Sequence, residues 1–184
     1  VSEQGNMAPI WAGLCDAATA VGVIDRVFPA GEKGPCTEAQ PFFMTVVLAA
    51  LERAGRFDLA VELIRQRWGR RMVGQGATSA FEEWYQNGSW RSGRFEGFLR
   101  SHSHAWSACP ADFLIRGLMG VDILEPGCRR VRIRPRRLPF DYRVEFPTPR
   151  GSICVKQQKG SLSWRANRRI YMDVVTPSPA AKAD

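Results

Sequence analysis

The stretch GATSAFEEWYQNGSW, Gly76 to Trp90, places two adjacent carboxylates, Glu82 and Glu83, among the rings of Phe81, Trp84 and Tyr85, with Trp90 close behind. Neighbouring side chains diverge by about 100° on a helix and point to opposite faces of an extended segment, so the two carboxylates are not a ready-made pair facing one substrate. The expected arrangement has one carboxylate inward among the rings and the other solvated. Walled by Phe81 and Trp84, a carboxylate loses hydration. Unless hydrogen bonds compensate, it then holds a proton more readily, which suits a general base acting on water. The same residues also fit a plainer role, in which Glu82 caps or ion-pairs a helix end.

The only histidines, His102 and His104, lie in the segment SHSHAW. No Cys, Asp or Glu stands near them at a metal-ligand spacing, so neither a metal site nor a cofactor is expected. A neutral histidine hydrogen-bonding a hydroxyl-bearing ligand is the functional reading, and a satisfied structural histidine is the alternative. Trp84, Trp90 and Trp106 can form the stacking walls of a sugar site, because a ring offers an apolar face, or they can be core. The sequence contains no phosphate-binding glycine loop, Ser/His/Asp order or nucleotide fingerprint.

Helical spacing dominates the elements that must hold these groups. Met7, Ile10, Trp11, Leu14, Ala18 and Val21 recur at steps of three and four, predicting one helix over 7–21, capped by Asn6 and ending near Gly22. A Gly- and Pro-rich loop spans 28–40. Pro41 then opens a helix running to Gly55, and Phe57, Val61, Ile64, Trp68 and Met72 resume the spacing after a few residues, which makes an αα-hairpin. A loop is expected over 85–97, and a further helix from His104 or Pro110 to Gly120. Beyond Gly120 the period falls to two. Short alternating runs around Val131, Val144, Ile153, Leu162 and Met172, punctuated by Gly and Pro, predict an antiparallel sheet belonging to a sandwich. The tail from about 177 is rich in Pro, Ala and Ser and is expected to fray.

Charge follows the same division. Residues 1–120 hold 12 basic and 12 acidic side chains, and residues 121–184 hold 14 and 6, so the whole +8 excess lies in the strand-forming part. Its arginines alternate with apolar residues, as in Val131-Arg132-Ile133-Arg134. That is the pattern of a solvated strand face, and it is favoured over a nucleic-acid module. Five scattered cysteines without a CxxC pair argue against a disulfide framework and fit a reducing compartment such as the cytoplasm. No apolar run approaches the ~20 residues needed to span a membrane. The wide apolar arc of 41–51 is satisfied either by a compact bundle or by neighbours outside this chain.

GATSAFEEW resembles the Gly-Ala-Thr-Thr-x-Trp-Glu-x-Trp segment of bacterial α-L-rhamnosidases, inverting glycoside hydrolases built on a six-hairpin α/α toroid. The resemblance extends from Glu3 to Val175. EQGNMAPIWAGL and QPFFMTVVLAALERAGRFDLAVELIRQRWG look like the closing hairpins of the toroid. SHSHAWSACPADFLIRGLMGVDILEPGCRRVRIRP and PTPRGSICV look like its last helix and the entry to a C-terminal β-sandwich.

The resemblance implies a two-part α+β chain, with toroid helices over 1–120 and a partial β-sandwich over 121–184. It places Glu82 on the general base that activates water and His104 on a histidine contacting bound rhamnose, with Trp84 on the second aromatic of the motif. Phe81 departs from the usual tryptophan. The acidic, Arg-Asp-containing segment that carries the family's general acid is not found here, so the expected activity is half of an inverting hydrolysis, with little turnover by this chain alone. The implied partners are a rhamnose-containing glycoside and, through exposed apolar helix faces, a second copy or the missing toroid segment. A non-catalytic carbohydrate-binding or scaffolding module is the alternative.

Overall fold

The computed structural model describes residues 1–29, 34–84 and 101–176. Its fold is mixed α+β, with five α-helices followed by two three-stranded sheets among the described residues. It divides into two compact units, Val1–Phe113 and a second beginning at Leu114. Trp90 and the tail from 177 lie outside the described residues.

The single helix expected over 7–21 is two. α1 (Glu3–Ala12) is capped by Ser2, whose side chain accepts from the Gly5 N–H, and it stops at Gly13 in the left-handed region, φ 74°. Asp16 then caps α2 (Ala17–Val27) by accepting from the Thr19 N–H at 2.7 Å. This bond holds the Asp16 carboxyl below the usual carboxylate range. A left-handed stop followed by a fresh cap outweighs a continuous apolar period. Asn6 is therefore inside α1 and Gly22 inside α2, while Trp11, Leu14 and Val21 are exposed rather than buried.

α3 (Pro41–Arg53) begins as expected, with Pro41 in the first turn, where its missing N–H costs no hydrogen bond. Gly55, at φ 75°, turns the chain into α4 (Phe57–Ile64). The helix then widens into a π-helical turn over Arg65–Arg70. Met7, Ile24, Met44, Leu48, Leu51 and Leu63 form the apolar centre of this unit.

Inside it lies a charged cluster. Arg67 donates to both Glu3 oxygens, at 2.6 and 2.8 Å, and its Nε is 3.4 Å from Glu38. Glu3 also accepts from the Ala39 N–H at 2.8 Å, and Glu38 is bound by Arg71 as well. The π-helical turn thus carries the cation that ties α1 to the segment entering α3.

After a short 3-10 turn (Ala105–Ala108), α5 (Cys109–Met119) begins with Pro110 in its first turn. The second unit contains β1 (Asp122–Ile123), β2 (Arg130–Ile133), β3 (Tyr142–Thr148), β4 (Gly151–Gln158), β5 (Ser161–Ala166) and β6 (Tyr171–Val174). β3, β4 and β5 form an antiparallel meander, as expected. The other sheet corrects the expectation of antiparallel pairing throughout: its order is β1-β2-β6, and β2 pairs with β6 in parallel, Val131 opposite Met172. The meander intervenes between these two strands, and such a long connection permits a parallel return that a tight hairpin forbids. No helix among the described residues is long and apolar enough to cross a membrane.

Candidate functional site: Glu82 and His104

The segments 79–82 and 101–104 are laced together by backbone. The Glu82 N–H donates to the Ser101 carbonyl at 2.9 Å, the His104 N–H donates to the Ala80 carbonyl at 2.9 Å, and the Ser79 hydroxyl donates to the His102 carbonyl. The carboxylate motif and the histidine segment are thereby joined, although nearly twenty residues of chain separate them.

The Glu82 side chain is 25% exposed, and its Oε2 accepts from the Ser101 N–H at 3.1 Å. His104, 28% exposed, brings Nδ1 to 3.8 Å from the same oxygen, adjacent but beyond a hydrogen bond. Oε1 of Glu82 accepts from no donor among the described residues. One oxygen is therefore anchored by the backbone, and the other has no donor among the described residues. Glu83 is half-buried too, so the division into one inward and one solvated carboxylate does not hold.

The aromatic setting also differs from the expected one. Trp84 is only 3% exposed, with its ring edge-on to Trp68 at 4.6 Å and the Arg71 guanidinium 5.9 Å from its centroid. It offers no open face to a ligand and acts as a buried support, with its backbone N–H donated to the Gln40 side chain at 2.9 Å. Phe81 leans on His102 at 5.0 Å. The open aromatic surface comes from elsewhere: Trp106, 44% exposed, lies 3.8 Å from the His104 ring and 5.1 Å from Phe42, which is 58% exposed.

The Trp106 indole N–H and the Ser107 hydroxyl point to the Glu82 carbonyl, at 3.4 and 3.5 Å. Trp68 anchors the same turn by donating to the Ser107 carbonyl at 2.7 Å. Glu82, His104 and Trp106 are thus brought together, Trp84 lies beneath them, and Trp90 is outside the described residues. Sequence reasoning missed Ser101, which contributes only its backbone, and Phe42, whose helical spacing resembles that of core residues. Burial pushes the Cys109 thiol up, which disfavours the thiolate a nucleophile would need. Among the described residues no group of three His, Cys, Asp or Glu side chains is placed to hold a metal.

The first unit thus brings together a backbone-anchored carboxylate, an adjacent imidazole and an exposed ring. No family model matches the sequence, and no curated protein matches it. Solved structures do match. A GH78 family rhamnosidase of Bacillus sp. GL1 is 27% identical with a TM-score of 0.73, covering 96% of this chain and 19% of that one. The native α-L-rhamnosidase of Aspergillus terreus is 20% identical with a TM-score of 0.72, over 96% and 22%. The Streptomyces avermitilis α-L-rhamnosidase, solved in complex with L-rhamnose, is 19% identical with a TM-score of 0.67, over 94% and 18%. The helices and small sheets of this chain match parts of these enzymes, and the chain spans about a fifth of their length.

Proposed function

We propose that this chain is the part of an α-L-rhamnosidase-like glycoside hydrolase that carries the general base. Its first unit supplies closing helices of an α/α toroid, and its second unit supplies strands of a β-sandwich. The observation that carries this reading is the Glu82 carboxylate, fixed through Oε2 by the Ser101 N–H and set 3.8 Å from His104, in a chain whose fold matches rhamnosidases over nearly all its length.

In the reaction, Oε1 of Glu82 takes a proton from water as the water oxygen bonds to the anomeric carbon. The glycosidic C–O bond breaks on the opposite side, and a second carboxylic acid protonates the leaving oxygen. Inversion separates these two groups by roughly 6.5–9.5 Å. That acid belongs to the portion of the enzyme this chain does not span, so the chain alone binds without turnover. His104 holds a sugar hydroxyl, and the exposed face of Trp106 packs on the ring. The exposed Trp11, Leu14 and Phe42 are surfaces for the remaining helices or for a second copy.

Titration with L-rhamnose, followed through the tryptophan indole N–H resonances, tests the reading. The Trp106 resonance is expected to shift saturably, and His104→Ala to weaken the effect. A Trp106 resonance indifferent to rhamnose, or one moved equally by any monosaccharide, would contradict it.

A further inference from the structure

The second unit does not neutralise its cations evenly. On the β1-β2-β6 sheet Arg130 pairs with Asp173 at 2.9 Å and Arg134 with Asp122 at 2.6 Å. The β3-β4-β5 meander differs. Arg143 on β3 stands directly opposite Lys156 on β4, Lys156 is opposite Ser163 on β5, and Cys154 is opposite Arg165. Strand alternation places Arg143, Cys154, Lys156, Ser163 and Arg165 on one face. Arg143 has Glu145 at 3.3 Å, while no carboxylate among the described residues pairs with Lys156 or Arg165.

Like charges directly opposite one another across a sheet destabilise it. Arg143 and Lys156, one strand spacing apart, therefore repel each other, and Glu145, opposite Cys154 on the same face, offsets Arg143 alone among the described residues. The cations surround a hollow of about 330 Å³ lined by Arg143, Cys154, Lys156, Ser163, Trp164 and Arg165. Its lining includes the buried Cys154, and Ser163 adds a hydroxyl.

We propose that this face binds a carboxylate-bearing sugar, a uronic acid residue within an oligosaccharide. The guanidinium forks of Arg143 and Arg165 match a carboxylate's two oxygens, Lys156 adds a compact charge, and Ser163 reaches sugar hydroxyls. The footprint suits one or two sugar rings. A nucleic-acid backbone engages a longer run of cations, typically 6–10 phosphate contacts. The choice of sugar as the carrier of the charge rests on the rhamnosidase-like reading, whereas the anion site itself rests on the meander alone.

Calorimetry on the whole chain tests the proposal with three probes: a galacturonic acid trimer, an uncharged trisaccharide and a short oligothymidylate. The uronide is expected to bind and to weaken with added salt, the neutral sugar not to bind, and the oligothymidylate to bind less tightly than the uronide. Lys156→Gln with Arg165→Gln removes two exposed charges without touching the core and is expected to weaken uronide binding about tenfold or more. Lys156→Arg is expected to retain it. Glu82→Gln leaves it unchanged, so failure at the rhamnose site and failure here are separable. Equal affinity for the neutral trisaccharide, tighter binding of oligothymidylate, or an unaltered double variant would each overturn the proposal.

Discussion

Replacing Arg67 by Met probes what holds the helical unit together. Arg67 and Glu3 are both buried, with contacts of 2.6 and 2.8 Å between them, and Glu38 lies 3.4 Å from the Arg67 Nε. Without the guanidinium Glu38 retains Arg71, whereas among the described residues Glu3 is left with the Ala39 N–H alone. Breaking one side of a buried ion pair typically costs about 3–5 kcal/mol, because the remaining charge stays desolvated. With a urea dependence of roughly 2 kcal/mol per molar, the unfolding midpoint falls by about 2 M.

Adding Glu3→Gln removes the stranded charge and keeps an acceptor for Ala39, so the double variant is expected to regain at least about 2 kcal/mol relative to Arg67→Met. Urea unfolding followed by far-UV circular dichroism, which reports mainly on the helices, measures Arg67→Met, Glu3→Gln and the double variant. A cost below about 1 kcal/mol for Arg67→Met, or strictly additive costs in the double variant, would refute the reasoning. The cluster also bears on the site, since Glu38 and Ala39 lead into Gln40, which accepts the Trp84 N–H.

Two further outcomes follow from single side chains. The Trp84 indole N–H is buried and has no acceptor among the described residues, so Trp84→Phe is expected to cost within about 1 kcal/mol, against roughly 3–5 kcal/mol for Trp84→Ala. Equal losses on thermal unfolding would mean that the indole nitrogen is satisfied. Burial pushes Tyr142 up to about 12, and its hydroxyl donates to the Arg136 carbonyl at 2.6 Å. The unfolded chain releases this proton near pH ~10, so stability is full below that pH and is lost as pH rises toward the folded value, by at most about 3 kcal/mol. Tyr142→Phe should flatten that part of the stability profile, and an unchanged profile would refute the assignment.

Much of the local structure was legible because it is encoded locally. Pro41 and the apolar spacing behind it mark α3, Gly55 marks its turn, and the alternation around Val144 and Ile153 marks the meander. What was misread depends on competition or on distance. Gly13 and Asp16 broke a helix that apolar spacing alone would continue, and nothing in the run around Met172 says that its partner is β2 in parallel.

At the site, residue type did not determine exposure. Trp84 and Trp106 are the same amino acid a short distance apart in the chain, yet one packs under Trp68 and the other faces outward beside His104. The proximity of Glu82 and His104 depends on backbone hydrogen bonds between the segments 79–82 and 101–104, which no spacing in either segment reveals. Only the resemblance to rhamnosidases linked the two residues in advance.

The central claim is that Glu82 is a base whose acid partner lies outside this chain. A chimera in which this chain replaces the corresponding segment of the Bacillus rhamnosidase restores both groups, and hydrolysis of an aryl rhamnoside measures the result. Glu82→Gln is expected to lower the chimera's rate by about 10²–10⁴-fold while rhamnose binding persists. Equal rates for the chimera with and without Glu82→Gln would contradict it.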